Sequence, residues 1–144
     1  MADAPQTAGH RLSPTTADVA IEAWGETPED IFREAGRALF AVMCEPETVE
    51  PRQSLPCRAE GETVEGLFVR WLNELIYLHE TCGFLACDVR IERWTDTAVE
   101  GRLIGETQDR ARHALGVEVK AVTLHRLKVA REGEGWRAYA ILDI

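Results

Sequence analysis

Hydrophobic and polar positions alternate along TADVAIEAW, Thr16 to Trp24. Val19, Ile21 and Ala23 fall on one side, and Asp18, Ala20, Glu22 and Trp24 on the other. A period of two marks a half-buried strand. Gly25 breaks it, and in TPEDIFREAGRALFAVM the period lengthens. There Ile31, Ala35, Leu39 and Val42 recur at helical spacing, which predicts a helix laying one stripe on the sheet. Thr27 reads as its N-cap, Pro28 as N1 and Asp30 as the returning arm of a capping box, and Pro46 stops it.

A short strand around Leu55 to Ala59 carries Pro56, which argues for an edge position because proline cannot donate to a ladder. From about Thr63 to Cys82 the pattern is again helical, with Leu67, Phe68, Trp71, Leu72, Leu75, Ile76 and His79 on a broad apolar face and Gly83 at its end. ACDVRIERW and TAVEGRLIGE then read as a hairpin joined through Thr95, Asp96 and Thr97. The irregular stretch DRARHALGVE leads to a last hairpin, VKAVTLHRLKVA and WRAYAILDI, with its turn in EGEG. The order β-α-β-α-β-β-β-β predicts an α+β fold, two helices packed on a mixed, largely antiparallel β-sheet in a single domain. MADAPQTAGH reads as a flexible lead-in, so the expected division is 1–10 lead-in and 11–144 domain.

Composition agrees with a self-sufficient core: 144 residues, 45% hydrophobic and 28% charged, a size that buries roughly 70% of the unfolded chain's surface. Charge narrows the function. Lys and Arg number 16 against 25 Asp and Glu, a net −9. Gripping phosphate backbones calls for concentrated positive charge, so strong direct nucleic-acid binding is disfavoured, and cations or a basic protein partner suit the surface better. Neither a membrane-length apolar run nor a secretory signal is present, which with unpaired cysteines predicts a cytoplasmic protein. Cys44, Cys57, Cys82 and Cys87 are scattered, and the Cys82/Cys87 spacing finds no second ligand pair for zinc. His10, His79, His113 and His125 show no ligand spacing either. Nucleophile-elbow, Walker, Rossmann and zinc-hydrolase motifs are missing.

What remains is carboxylate chemistry at Asp18, which opens the first strand, and Asp143, which ends the last beside the Ile144 terminus. On strands the two acids read as remote from each other whether those strands run parallel or antiparallel. Only a loop-like approach of residues 15–18 to the chain end would join them. On spacing alone, the plainer reading is two solvated strand ends.

A resemblance carries the reading further. PTTADVAIEAWGETPEDIFREAGRALFAVMCEPETVEP resembles the opening of the archease family, with its H-T-A-D-[VI] element, strand, glycine and helix. WLNELIYLHET, LGVEVKAVTLHRL and the closing WRAYAILDI, similar to W-x-A-x-x-[IV]-L-D-[IV], continue it in order from about residue 11. Thr15 stands where the family commonly has His.

Archeases are accessory proteins of RtcB-type RNA ligases, GTP-dependent enzymes of tRNA splicing and RNA repair. The resemblance therefore implies a non-catalytic activator that promotes ligase guanylylation and multiple turnover. It also implies a divalent metal at Asp18, Asp143 and Ile144, and a functional lysine at Lys120. Such a donor set is all hard oxygen, which favours calcium, or magnesium, over zinc. Lys120 would be a charge partner for an acidic or phosphorylated group on the ligase; the plain alternative is a solvated strand lysine. Two other classes stay open: a metal-dependent phosphohydrolase, and a chaperone-like binding module with an exposed apolar patch.

Overall fold

A computed structural model describes residues 8–14 and 18–144. Seven strands and two α-helices follow in the order β1 (Gly9–Pro14), β2 (Asp18–Gly25), α1 (Pro28–Met43), β3 (Gln53–Glu60), α2 (Val64–Cys82), β4 (Phe84–Thr95), β5 (Ala98–Thr107), β6 (Ala121–Glu132) and β7 (Gly135–Asp143). The class is the α+β domain expected. In detail its strands divide into two sheets, β1-β2-β7-β6 and β3-β5-β4, and all their pairings are antiparallel. α1 packs on β1, β2 and β7 of the first sheet and β4 of the second, while α2 packs on β6 and on β3, β4 and β5. The helices are thus the layer that joins the sheets, which is why α1 is buried on more than the single stripe its spacing predicts.

The α1 capping box and the glycine end of α2 form as the sequence predicts. The Thr27 side chain accepts from the Asp30 backbone, and Asp30 answers with bonds from Glu26 N–H at 2.9 Å and Thr27 N–H at 3.2 Å. Thr63 caps α2, and Gly83 closes it in the left-handed conformation, φ 63°. Pro56 lies on an edge strand, as expected. β1 departs from the reading: it begins at Gly9, inside the stretch assigned to the lead-in, and pairs with β2 from Gly9↔Trp24 to Pro14↔Val19.

The main core runs through both layers. Val19, Ile21 and Ala23 of β2, Ala138, Ala140 and Leu142 of β7, and Val122 and Val129 of β6 face it. At its centre the Trp71 indole donates to the Phe32 carbonyl at 3.0 Å, and the Phe32 ring meets Phe68 edge-on at 5.2 Å. Gly101 makes room for this, since a Cβ there would lie 3.1 Å from the Trp71 ring and 2.2 Å from the Arg90 carbonyl.

The segment between β5 and β6 delivers Lys120, and it is held in place by capping the end of α1. Gly116 N–H donates to Met43 O at 2.8 Å and Val117 N–H to Val42 O at 3.0 Å. These are carbonyls that a helix end otherwise leaves open. Position 116 must be glycine, because a Cβ would meet Val42 O at 2.2 Å.

Candidate functional site

β2 and β7 pair antiparallel in the register Asp18↔Asp143, Val19↔Leu142, Ala20↔Ile141. The expected separation of the two acids is therefore wrong. Antiparallel neighbours run in opposite directions, so the start of one lies beside the end of the other, and no loop-like approach is needed. Directly opposed residues share a sheet face with Cα atoms about 4.5–5.5 Å apart. That face is the outer one, because Val19 and Leu142, their neighbours in sequence, point into the core.

The other predicted residues gather at the same corner. Ile144 packs its half-buried side chain against the core and so anchors the chain end next to Asp143. Lys120 precedes β6 and is exposed, and its backbone N–H donates to Asp143 O at 2.8 Å. The strand order β2-β7-β6 thus sets Asp18, Asp143 and Ala121 side by side, with Lys120 next to them at the entry to β6. Thr15, the position that departs from the family's histidine, lies outside the described residues.

A hard cation fits this corner on its donor chemistry. Among the described residues, no three His, Cys, Asp or Glu side chains gather as a metal group. The two aspartates become a set of three carboxylates only with the Ile144 main-chain carboxylate. Like charges directly opposite one another destabilise a ladder, an arrangement that a bound cation turns from repulsion into attraction. Thr123 adds one observation that the sequence reading missed. It pairs with Ile141, so it shares the outer face with Asp143 two residues further along, and its Oγ1 is buried with no hydrogen-bond partner. A buried hydroxyl left open on that face, two positions along from Asp143, is an oxygen donor without a partner.

A second cluster holds the segment that carries Lys120. Glu106 is 3% exposed, and its carboxylate accepts from Arg112 Nη2 at 2.6 Å, Glu50 N–H at 2.8 Å and His113 Nε2 at 2.8 Å. His113 Nδ1 in turn accepts from Asp109 N–H at 2.8 Å, which fixes the tautomer that donates to Glu106. The hydrogen bond from Arg112, then those from the Glu50 backbone and His113, hold the Glu106 carboxyl down at about 2. Its ordinary value in an unfolded chain is about 4.3. A depressed carboxylate contributes stability that is fully present above the unfolded value and lost as pH falls through the folded one. Acid is therefore expected to loosen residues 108–119 between about pH 4.3 and 2. Glu106→Gln should remove that step from an acid titration followed by amide exchange. Identical acid profiles for the two proteins would contradict the assignment.

On α1, Glu34 is also buried, with His10 Nδ1 at 3.0 Å and Arg37 Nη1 at 2.7 Å, and Arg37 reaches on to Asp88 at 2.7 Å. Burial pushes the Glu34 carboxyl up, but the bonds from His10 and Arg37 outweigh it and hold it below the usual range. Sequence reading missed both clusters, since a lone Glu or His in a polar stretch points outward by default. The four cysteines are free, and burial pushes the Cys44 and Cys57 thiols up to about 11 and 12.

The fold and this corner define a class: a small α+β domain, helices joining two antiparallel sheets, with its C-terminal strand bringing carboxylates together at the chain end. The model of the archease protein family matches residues 10–144, and the chain belongs to that family. It is 38% identical over 135 residues to the archease of Methanopyrus kandleri, covering 90% of this chain and 94% of that protein. It is 35% identical over 133 residues to that of Pyrococcus furiosus, with the same coverage of 90% and 94%. A solution structure of Methanobacterium thermoautotrophicum protein 1598 superposes with a TM-score of 0.75 at 29% identity, over 94% of this chain and 99% of that one. A crystal structure of a Thermotoga maritima archease, described as a possible chaperone, gives 0.62 at 26% identity over 90% and 93%.

Proposed function

We propose that the protein is a non-catalytic activator of a GTP-dependent RtcB-type RNA ligase in the cytoplasm, promoting ligase guanylylation and multiple turnover in tRNA splicing or RNA repair. The observation that supports this most is the meeting of Asp18 and Asp143 on adjacent strands with Lys120, just before β6, hydrogen-bonded through its backbone to Asp143. These are the residues the family resemblance singles out, and the sheet register brings them together from three distant points of the sequence. In this reading Asp18, Asp143 and the Ile144 carboxylate hold calcium or magnesium, which supplies a fixed positive charge facing the partner. Lys120 extends that charge toward an acidic or phosphorylated group on the ligase.

The net charge of −9 fits a partner that is basic because it holds RNA. A general chaperone would need a broad apolar surface. Among the described residues the large exposed apolar side chains are Tyr77, Leu115, Val117 and Leu124. Among the described residues no helix is long and apolar enough to cross a membrane.

The test is RNA joining with GTP by protein alone, ligase alone, and ligase with substoichiometric protein. Expected are no joining by the protein and more products per ligase in the mixture. Joining without ligase, or unchanged ligase turnover, would overturn the reading.

A further inference from the structure

β6 carries an irregularity in mid-strand. Its pairing with β7 jumps from Thr123↔Ile141 to Lys128↔Tyr139, so Leu124, His125, Arg126 and Leu127 all stand opposite Ala140. Arg126 takes φ 57°, the one residue other than glycine described with a positive value. That conformation crowds a Cβ against the following carbonyl, and strain of this kind persists where the surroundings impose it. Leu127 packs on the core, whereas Leu124 is 73% exposed, the most exposed large apolar side chain among the described residues.

The knuckle is also basic in an acidic protein. The two lysines of the chain, Lys120 and Lys128, flank His125 and Arg126. Lys128 meets Glu132 at 3.8 Å, but among the described residues Lys120, His125 and Arg126 enter no ion pair within 4 Å. Leu124 lies three residues beyond Ala121, the partner of Asp143, a distance of about 10 Å along a strand. Backbone pairing is not what this edge offers, because the bulge interrupts it and Val122 N–H is taken by Asn73 Oδ1 at 3.1 Å.

The geometry points to the 124–126 knuckle as a docking element that places Leu124 in an apolar socket rimmed by carboxylates on the partner protein. The socket's charge follows from complementarity to Lys120, Arg126 and Lys128. Binding there would set the Asp18–Asp143 corner against the partner. This rests on the ligase being that partner.

The test measures binding of the full chain to the ligase by fluorescence anisotropy at low and high salt, for wild type, Leu124→Ser and Arg126→Gly. Glycine suits a positive φ and Leu124 is exposed, so both variants should melt within about 4 °C of wild type. Each should bind roughly tenfold or more weakly, as expected for an anchor residue, and Arg126→Gly should flatten the salt dependence. Wild-type affinity and salt dependence in both variants would overturn the proposal and leave the bulge as edge protection alone. A wild-type chain that neither binds nor activates the ligase would overturn the activator reading, and this docking element with it.

Discussion

Replacing Asp143 by asparagine is expected to cut divalent-cation affinity by at least the roughly 10–100-fold that losing an outer-shell partner costs a metal site. Without added cation, the melting temperature should stay unchanged or rise. Asparagine keeps the shape and discards the charge, and hard cations are held chiefly by charge and ligand count. Stability should not suffer, because Asp143 is exposed and stands directly opposite Asp18, where like charges oppose the ladder. A C-terminal tag, which turns the Ile144 carboxylate into an amide, should weaken binding in the same way. Calcium titrations by calorimetry decide: equal affinity in wild type, Asp143→Asn and tagged protein would move the cation elsewhere.

The largest expected loss of stability is at Trp71. Trp71→Ala should cost about 3–5 kcal/mol, the range for emptying a buried aromatic site, against a total of about 5–15 kcal/mol for a typical domain. The site cannot collapse easily. Trp71 is fully buried on α2, and its indole N–H satisfies the Phe32 carbonyl of α1. The change therefore opens a cavity and also removes the hydrogen bond that ties α2 to α1. Denaturant unfolding should show the midpoint falling by a large fraction, and an unchanged midpoint would contradict the placement of Trp71 at the core.

What the sequence made legible was local. Thr27, Asp30 and Gly83 declare helix ends through side-chain chemistry or backbone freedom that acts within a few residues. Pro56 declares an edge because its missing N–H rules out a ladder on both sides. Partner choice was not legible, since alternation assigns a face but not a neighbour, and so one expected sheet became two. β1 was missed because GHRLSP has one strongly apolar residue and takes its order from pairing with β2. LHRL looked like continuous strand because a bulge leaves composition untouched.

At the candidate site the residues were legible through the family resemblance, but their meeting was not. Placing Asp18 beside Asp143 needed the knowledge that β2 and β7 are antiparallel neighbours. The Glu106–His113 clasp lay further from view, because its members are buried by a turn that the sequence shows only as irregular. That turn decides where Lys120 stands.

The most direct measurement is the rate at which the ligase takes up labelled guanylate from GTP, alone, with wild-type protein, and with Lys120→Ala or Asp143→Asn at matched folded concentration. A clear acceleration by wild type is expected, with little or none by either variant, and without cation neither variant should melt below wild type. Equal rates with and without the wild-type chain, in the presence of calcium or magnesium, would contradict the activator role.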